Sequence, residues 1–236
     1  MDWEGRPHGT KGVAFDESLS RYARSDGQGN ISVRSVEDDK EIVRLPNPGH
    51  PAWVLQFNHD ATLLAAKHHP PDPHDGELRV SDLSTGETVL TTEVSQAAFT
   101  FSPDGRWLEV GSPNGSIHVY DVAARAESYS MTAGSQPSSL CFHPDAQQLA
   151  VSSLSGIVQI LEVSTGRIVR TYRHPSGVRR VAWSPDGSLF ATACGNYRVY
   201  VWNADNAQEP HRVLIGHRGP VTKVSFSRFG ESATRK

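Results

Sequence analysis

One aromatic position, closing a short apolar run, recurs down the whole chain as Phe15, Phe57, Phe101, Phe142, Trp183 and Phe226, at intervals of 42, 44, 41, 41 and 43 residues. A period of this size and regularity means one supersecondary unit copied head to tail, each copy burying its apolar face against a neighbour. Any fold proposed for this chain must therefore be modular.

The clearest copy runs from Val178 to Asn203. Val178, Val181 and Trp183 anchor a first strand, which the Ser184-Pro185-Asp186-Gly187 turn reverses. There Pro185 presets φ, Asp186 accepts backbone N–H groups and Gly187 tolerates positive φ. Leu189 to Cys194 reads as a second strand, Gly195-Asn196 as left-handed turn residues, and Val199 to Asn203 as a β-branched and aromatic third strand. Related turns follow the other aromatics, as in Ser102-Pro103-Asp104-Gly105 and His143-Pro144-Asp145. Third strands are expected at Ile31 to Ser35, Leu78 to Asp82, Ile117 to Asp121, Val158 to Glu162 and Val199 to Asn203. The pairs ahead of them, Gln28-Gly29, Asp75-Gly76, Asn114-Gly115, Ser155-Gly156 and Asn196-Tyr197, suit hairpins that need positive φ. Outer strands are expected at Glu41 to Leu45, Glu87 to Thr91, Glu127 to Met131, Arg167 to Tyr172 and Arg212 to Ile215. Four antiparallel strands per unit make a propeller blade.

These units resemble WD-repeat blades, whose period is about 40–45 residues with Gly-His before the first strand and Trp-Asp ending the third. Gly-His stands at Gly49-His50 and Gly216-His217, with a related His174. The Trp-Asp place reads Trp202-Asn203, Tyr120-Asp121, Ser81-Asp82, Leu161-Glu162 and Arg34-Ser35. The resemblance implies an all-β propeller occupying 1–236 as a single domain, with five complete blades near 10–46, 52–92, 96–132, 137–173 and 178–216. The first hairpin of a sixth blade would fill 221–236. Closure is open between a small five-membered ring, a sixth blade patched by Asp2 to Pro7, and an arc or fragment of a six- or seven-bladed ancestor. The family's buried set of His, strand hydroxyl, turn Asp and Trp is present only in part, through His174, Thr192, Asn196 and Trp202. His50, His217, Asp104, Asp186 and Trp202 are accordingly assigned structural roles.

Composition narrows the function classes. A net charge of -3 gives no global basic field, which argues against a nucleic-acid partner. No apolar run approaches the ~20 residues needed to cross a bilayer, and Met1 to Arg6 lacks a signal peptide's basic start and apolar run. Cys141 and Cys194 lie in apolar strand patterns, which favours reduced thiols and a cytoplasmic setting over a disulfide.

No catalytic pattern stands out. Gly27-Gln28-Gly29 is a turn between strands with no helix to receive a phosphate. Asp104, Asp145 and Asp186 repeat on successive units and read as acceptors within their own turns. The Pro-rich insertion Lys67 to Gly76 carries His68, His69 and His74, a weak candidate for zinc and otherwise a solvated loop. No cofactor is expected. The positions following each first-strand anchor face the channel mouth in such blades and read Lys11-Gly12, Trp53-Val54, Ala97-Ala98, Ser138-Ser139, Arg179-Arg180 and Thr222-Lys223. Trp and Arg are enriched at binding hot spots, so Lys11, Trp53, Arg179, Arg180 and Lys223 form the candidate partner site.

The resemblance therefore implies a non-enzymatic scaffold for a protein or peptide, as part of a larger assembly. Its turns and loose Trp-Asp positions are similar to bacterial WD-repeat arrays that follow kinase or signalling domains. The competing reading is a propeller enzyme, metal-dependent or quinoprotein-like, with its site at the channel mouth.

Overall fold

A computed structural model describes residues 12–46, 48–68, 76–93 and 98–227. All its regular structure is β, in five antiparallel sheets of four strands. The first blade is β1 (Val13–Phe15), β2 (Arg21–Ser25), β3 (Ile31–Ser35) and β4 (Glu41–Leu45); the second is β5 (Ala52–Phe57), β6 (Leu63–His68), β7 (Glu77–Asp82) and β8 (Thr88–Glu93). The third comprises β9 (Phe99–Phe101), β10 (Trp107–Gly111), β11 (Ser116–Asp121) and β12 (Ala126–Thr132). The fourth holds β13 (Pro137–Phe142), β14 (Gln148–Ser153), β15 (Ile157–Glu162) and β16 (Ile168–Arg173), and the fifth β17 (Val178–Trp183), β18 (Leu189–Cys194), β19 (Val199–Asn203) and β20 (Arg212–Leu214). Within each sheet the strands neighbour one another in chain order, as a meander of hairpins requires. Among the described residues no helix is long and apolar enough to cross a membrane.

The chain divides into two compact units, Met1–Gln96 with Asp121–Ala126, and Ala97–Tyr120 with Glu127–Lys236. In the first, the face of blade one carrying Ala23, Ile31 and Val33 packs on Ala52, Leu55 and Phe57 of blade two. The second repeats that arrangement at two seams. Ile117, Val119 and Met131 meet Leu140, Phe142 and Leu149, while Ala150, Val158 and Ile160 meet Val178, Val181 and Trp183. Phe57, Phe142 and Trp183 are thus the knobs that their blades present to the preceding one. Fully burying an apolar side chain of this size contributes roughly 1.5–3 kcal/mol, which is why the period is so regular.

Two expectations need correction. In the fifth blade the left-handed turn residue is Tyr197, at φ 67°, rather than Gly195 or Asn196. Tyr197 holds the place that Gly156 (φ 85°) holds in the fourth blade, and its half-exposed ring tolerates a backbone conformation that ordinarily favours glycine. In the sixth-blade segment, residues 221–227 form no strand, and 228–236 lie outside the described residues. Val221, Val224 and Phe226 nevertheless pack on Ala191, Ala193, Val199 and Val201, the face a further blade would cover. The Val221 N–H donates to the Cys194 carbonyl at 3.2 Å.

Candidate functional site

The first strands of three blades carry the same irregularity. Pairing in β5 skips from Ala52 to Val54, in β13 from Pro137 to Ser139 and in β17 from Val178 to Arg180. Each skip leaves one extra residue unpaired, a β-bulge, and the three residues concerned are Trp53, Ser138 and Arg179. A bulge re-aims its side chain out of the ladder and is over-represented beside binding sites. Trp53 is 55% exposed beside an exposed Val54. Its backbone is approached so closely by Gly12 that a Cβ there would stand 2.8 Å from the Ala52 carbonyl oxygen. Blade four departs from the pattern: the Ser138 hydroxyl donates to the Val178 carbonyl at 2.6 Å and Ser139 is buried.

Arg179 and Arg180 are both exposed at the start of β17. Val178 pairs with Cys194, whose carbonyl also receives the Val221 N–H, and the Cys194 N–H donates to the Arg198 carbonyl at 3.0 Å. Exposed Lys223 and Arg198 therefore come to the same end of blade five as the two arginines. Sequence reasoning overlooked Arg198, because it lies in a turn and not beside an anchor. Lys11 and Ala97 lie outside the described residues. Trp53 belongs to the first compact unit and the cations to the second.

The polar set of blade five is assembled as far as its residues permit. His174 Nε2 stands 2.8 Å from Thr192 Oγ1 and 3.1 Å from Trp202 Nε1. Burial lowers the imidazole pKa to about 4, so the ring is neutral at neutral pH. An indole N–H only donates, which makes Nε2 the acceptor and leaves the proton on Nδ1. With Asn196 at the turn, where the family has Asp, neither His174 Nδ1 nor Asn196 Oδ1 has a hydrogen-bond partner. His217 lies nine residues before Phe226, as His174 does before Trp183, whereas His50 lies seven before Phe57. His50 contributes its carbonyl instead, 2.9 Å from His68 Nδ1.

The turn carboxylates serve their own hairpins. Asp186 accepts from the Ser184 hydroxyl at 2.6 Å and the Ser188 N–H at 3.1 Å, and the Ser184 bond in particular holds its carboxyl below the usual range. Asp104 accepts from the Ser102 hydroxyl and the Arg106 N–H. Of the histidine-rich insertion, His69 and His74 lie outside the described residues, while His68 is buried in β6. Among the described residues no group of three His, Cys, Asp or Glu side chains stands close enough to hold a metal.

A cavity of 640 Å³ lies between blades three and four, walled by Trp107, Tyr129, Val163 and Arg167. Beside this seam Glu109 is fully buried with both carboxylate oxygens unpartnered, and burial raises its pKa well above the ordinary value. The position eight residues after each strand-closing aromatic is Ala23, Ala65, Ala150 and Ala191 in the other four blades, all fully buried too. Reading that column of the repeat down the chain would have exposed the anomaly.

The family described as "WD domain, G-beta repeat" matches residues 84–121 and 166–203. "WD repeat-containing protein SL1-17" of Schistosoma mansoni is 31% identical over 161 residues, covering 66% of this chain and 52% of that protein. "WD repeat-containing protein 1-B" of Xenopus laevis is 28% identical over 116 residues, covering 47% and 19%. "WD repeat-containing protein 90" of Xenopus tropicalis is 25% identical over 205 residues, covering 75% and 11%. The chain spans about half the length of the first and about a fifth or less of the other two. Period, four-stranded blades and these matches agree in supporting a WD-repeat family for the chain.

Proposed function

We propose that the chain is a non-catalytic scaffold that holds a protein or peptide partner at the first-strand ends of its blades, with the five blades forming one domain of a larger assembly. The observation that carries this reading is the repeated bulge, which turns Trp53 and Arg179 out of their ladders at equivalent places in two blades. Bulky aromatic and guanidinium side chains dominate interface energetics. The general interaction role of WD-repeat proteins supports the reading, as do two unpaired cysteines for a reducing, cytoplasmic setting.

The test is a quantitative pull-down comparing the native chain with Trp53→Ala and Arg179→Ala. Both side chains are exposed, so neither change disturbs the core. Loss of a partner by either variant supports the site. Retention of every partner by the double variant removes it.

A further inference from the structure

The described ends of the strands in the second compact unit differ in charge: one carries cations alone, the other mixed charge. Because the strands alternate in direction, the starts of β13 and β17 share an end with the finishes of β14, β16, β18 and β20. The segments that make up this end are 110–117, 130–140, 151–158, 172–181, 193–199 and 213–223, and none contains Asp or Glu. The opposite end carries Asp104, Asp145, Glu162, Asp186, Asp205 and Glu209, interspersed with Arg106, Arg167 and Arg212. On the acid-free end Arg173, Arg179, Arg180, Arg198, Arg218 and Lys223 are all exposed. None makes an ion pair among the described residues.

We infer that this end of blades four and five docks an acidic protein segment, one rich in Asp and Glu. The inference rests on the scaffold reading and names the chemistry of its partner. Solvent-exposed cations normally stand among carboxylates, since like charges repel and mixed charge costs nothing at a surface. A face whose described residues include six cations and no acid focuses a positive potential that an oppositely charged partner meets as both steering and register. The chain's net charge of -3 means the field is local, unlike the molecule-wide basic character of a nucleic-acid binder. Arg179 and Arg180 supply bidentate donors that match carboxylates.

The probe is a fluorescein-labelled oligoglutamate peptide, titrated by fluorescence anisotropy against the full chain. Oligolysine, a single-stranded oligonucleotide and phosphatidylserine vesicles serve as comparison arms. Oligoglutamate is expected to bind, to weaken about tenfold with Arg179→Glu plus Arg180→Glu, and to weaken steeply with salt, while Arg167→Glu at the opposite end changes nothing. Absence of binding, or binding indifferent to the charge reversal, overturns the inference. Tighter, reversal-sensitive binding of the oligonucleotide or vesicles overturns it in favour of those partners. A cellular partner lost with Trp53→Ala but kept by the charge-reversed variant would leave the scaffold standing and sink the acidic segment alone.

Discussion

The seam between blades four and five and the seam between blades three and four share a register and are filled differently. The Gly115 carbonyl accepts from the Ala133 N–H at 2.9 Å and the Gly156 carbonyl from the His174 N–H at 2.8 Å, which aligns Met131 with Tyr172 and Tyr129 with Arg170. At the later seam Tyr172 is fully buried between Phe190 and Trp202, with ring centroids 4.7 and 5.2 Å away, and its hydroxyl donates to the Ala204 carbonyl at 2.7 Å. The earlier seam has Met131, Leu149 and Leu161 in those three places. Its tyrosine hydroxyl comes from two residues earlier in the outer strand: Tyr129 donates to the Val163 carbonyl, the counterpart of Ala204. One carbonyl is thus capped from two different positions. Because the leucines and methionine are smaller than the aromatics, the earlier seam keeps its cavity, and Tyr129 leans on Trp107 with centroids 6.1 Å apart. Further ties reinforce the later seam, where Trp183 Nε1–H donates to the Cys141 carbonyl at 3.1 Å and His143 packs edge-on against the Trp183 ring. Same backbone, different filling: the lesson is that repeat register fixes where groups meet, and side-chain volume fixes how well.

The strongest attack on this contrast is to make the later seam resemble the earlier one. Phe190→Leu with Trp202→Leu removes the two rings around Tyr172 and the indole donor to His174, and is expected to cost about 3–5 kcal/mol by analogy with large-to-small core changes. Urea unfolding monitored by circular dichroism checks it; a loss below about 1 kcal/mol would mean the aromatic filling is incidental.

The two seams also respond to pH in opposite senses. His174 is held neutral with its pKa depressed to about 4, so the unfolded chain binds the extra proton between that value and the ordinary 6.5. Stability is therefore expected to fall as pH drops through that window, by on the order of 3 kcal/mol at its foot. His174→Gln should flatten the acid limb of a melting-temperature profile. Glu109 behaves inversely, because its folded pKa is raised and its stability contribution is lost as pH rises through that value. Glu109→Ala installs the residue the other four blades use and is expected to stabilise by roughly 1–3 kcal/mol at neutral pH, with a smaller gain in acid. A variant less stable than the native chain at every pH would refute the buried-carboxylate account.

The smallest effect tests the shared cap. Tyr129→Phe and Tyr172→Phe each delete one hydroxyl-to-carbonyl bond and should each cost about 1 kcal/mol. Near-equal losses in chemical denaturation would support equivalence, whereas a large loss at Tyr172 alone would show that the later seam depends on its hydroxyl.

Much of this was legible in the chain itself. The period placed all five blades, and the third strand of blade five and the inner strand Val178–Trp183 fall where the pattern puts them. The turn roles of Asp104 and Asp186 follow from Ser-Pro-Asp-Gly chemistry, since an Asx acceptor acts on its own neighbours. Candidate site residues were legible as a column of the repeat, but not as bulges: a bulge is defined by its partner strand, and no property of Trp53 or Arg179 alone records it. Likewise Arg198 joins Arg179 and Arg180 only once β17, β18 and β19 are paired.

What the sequence by itself determined is the number, order and hairpin chemistry of the blades, because those depend on contacts within about 40 residues that repeat identically. Only the tertiary structure decided which seams are well filled, where the buried carboxylate of Glu109 points, and which cations share an end. Those outcomes depend on volumes and charges brought together from separate units, and packing density and Coulomb interactions answer to distance in space rather than distance along the chain.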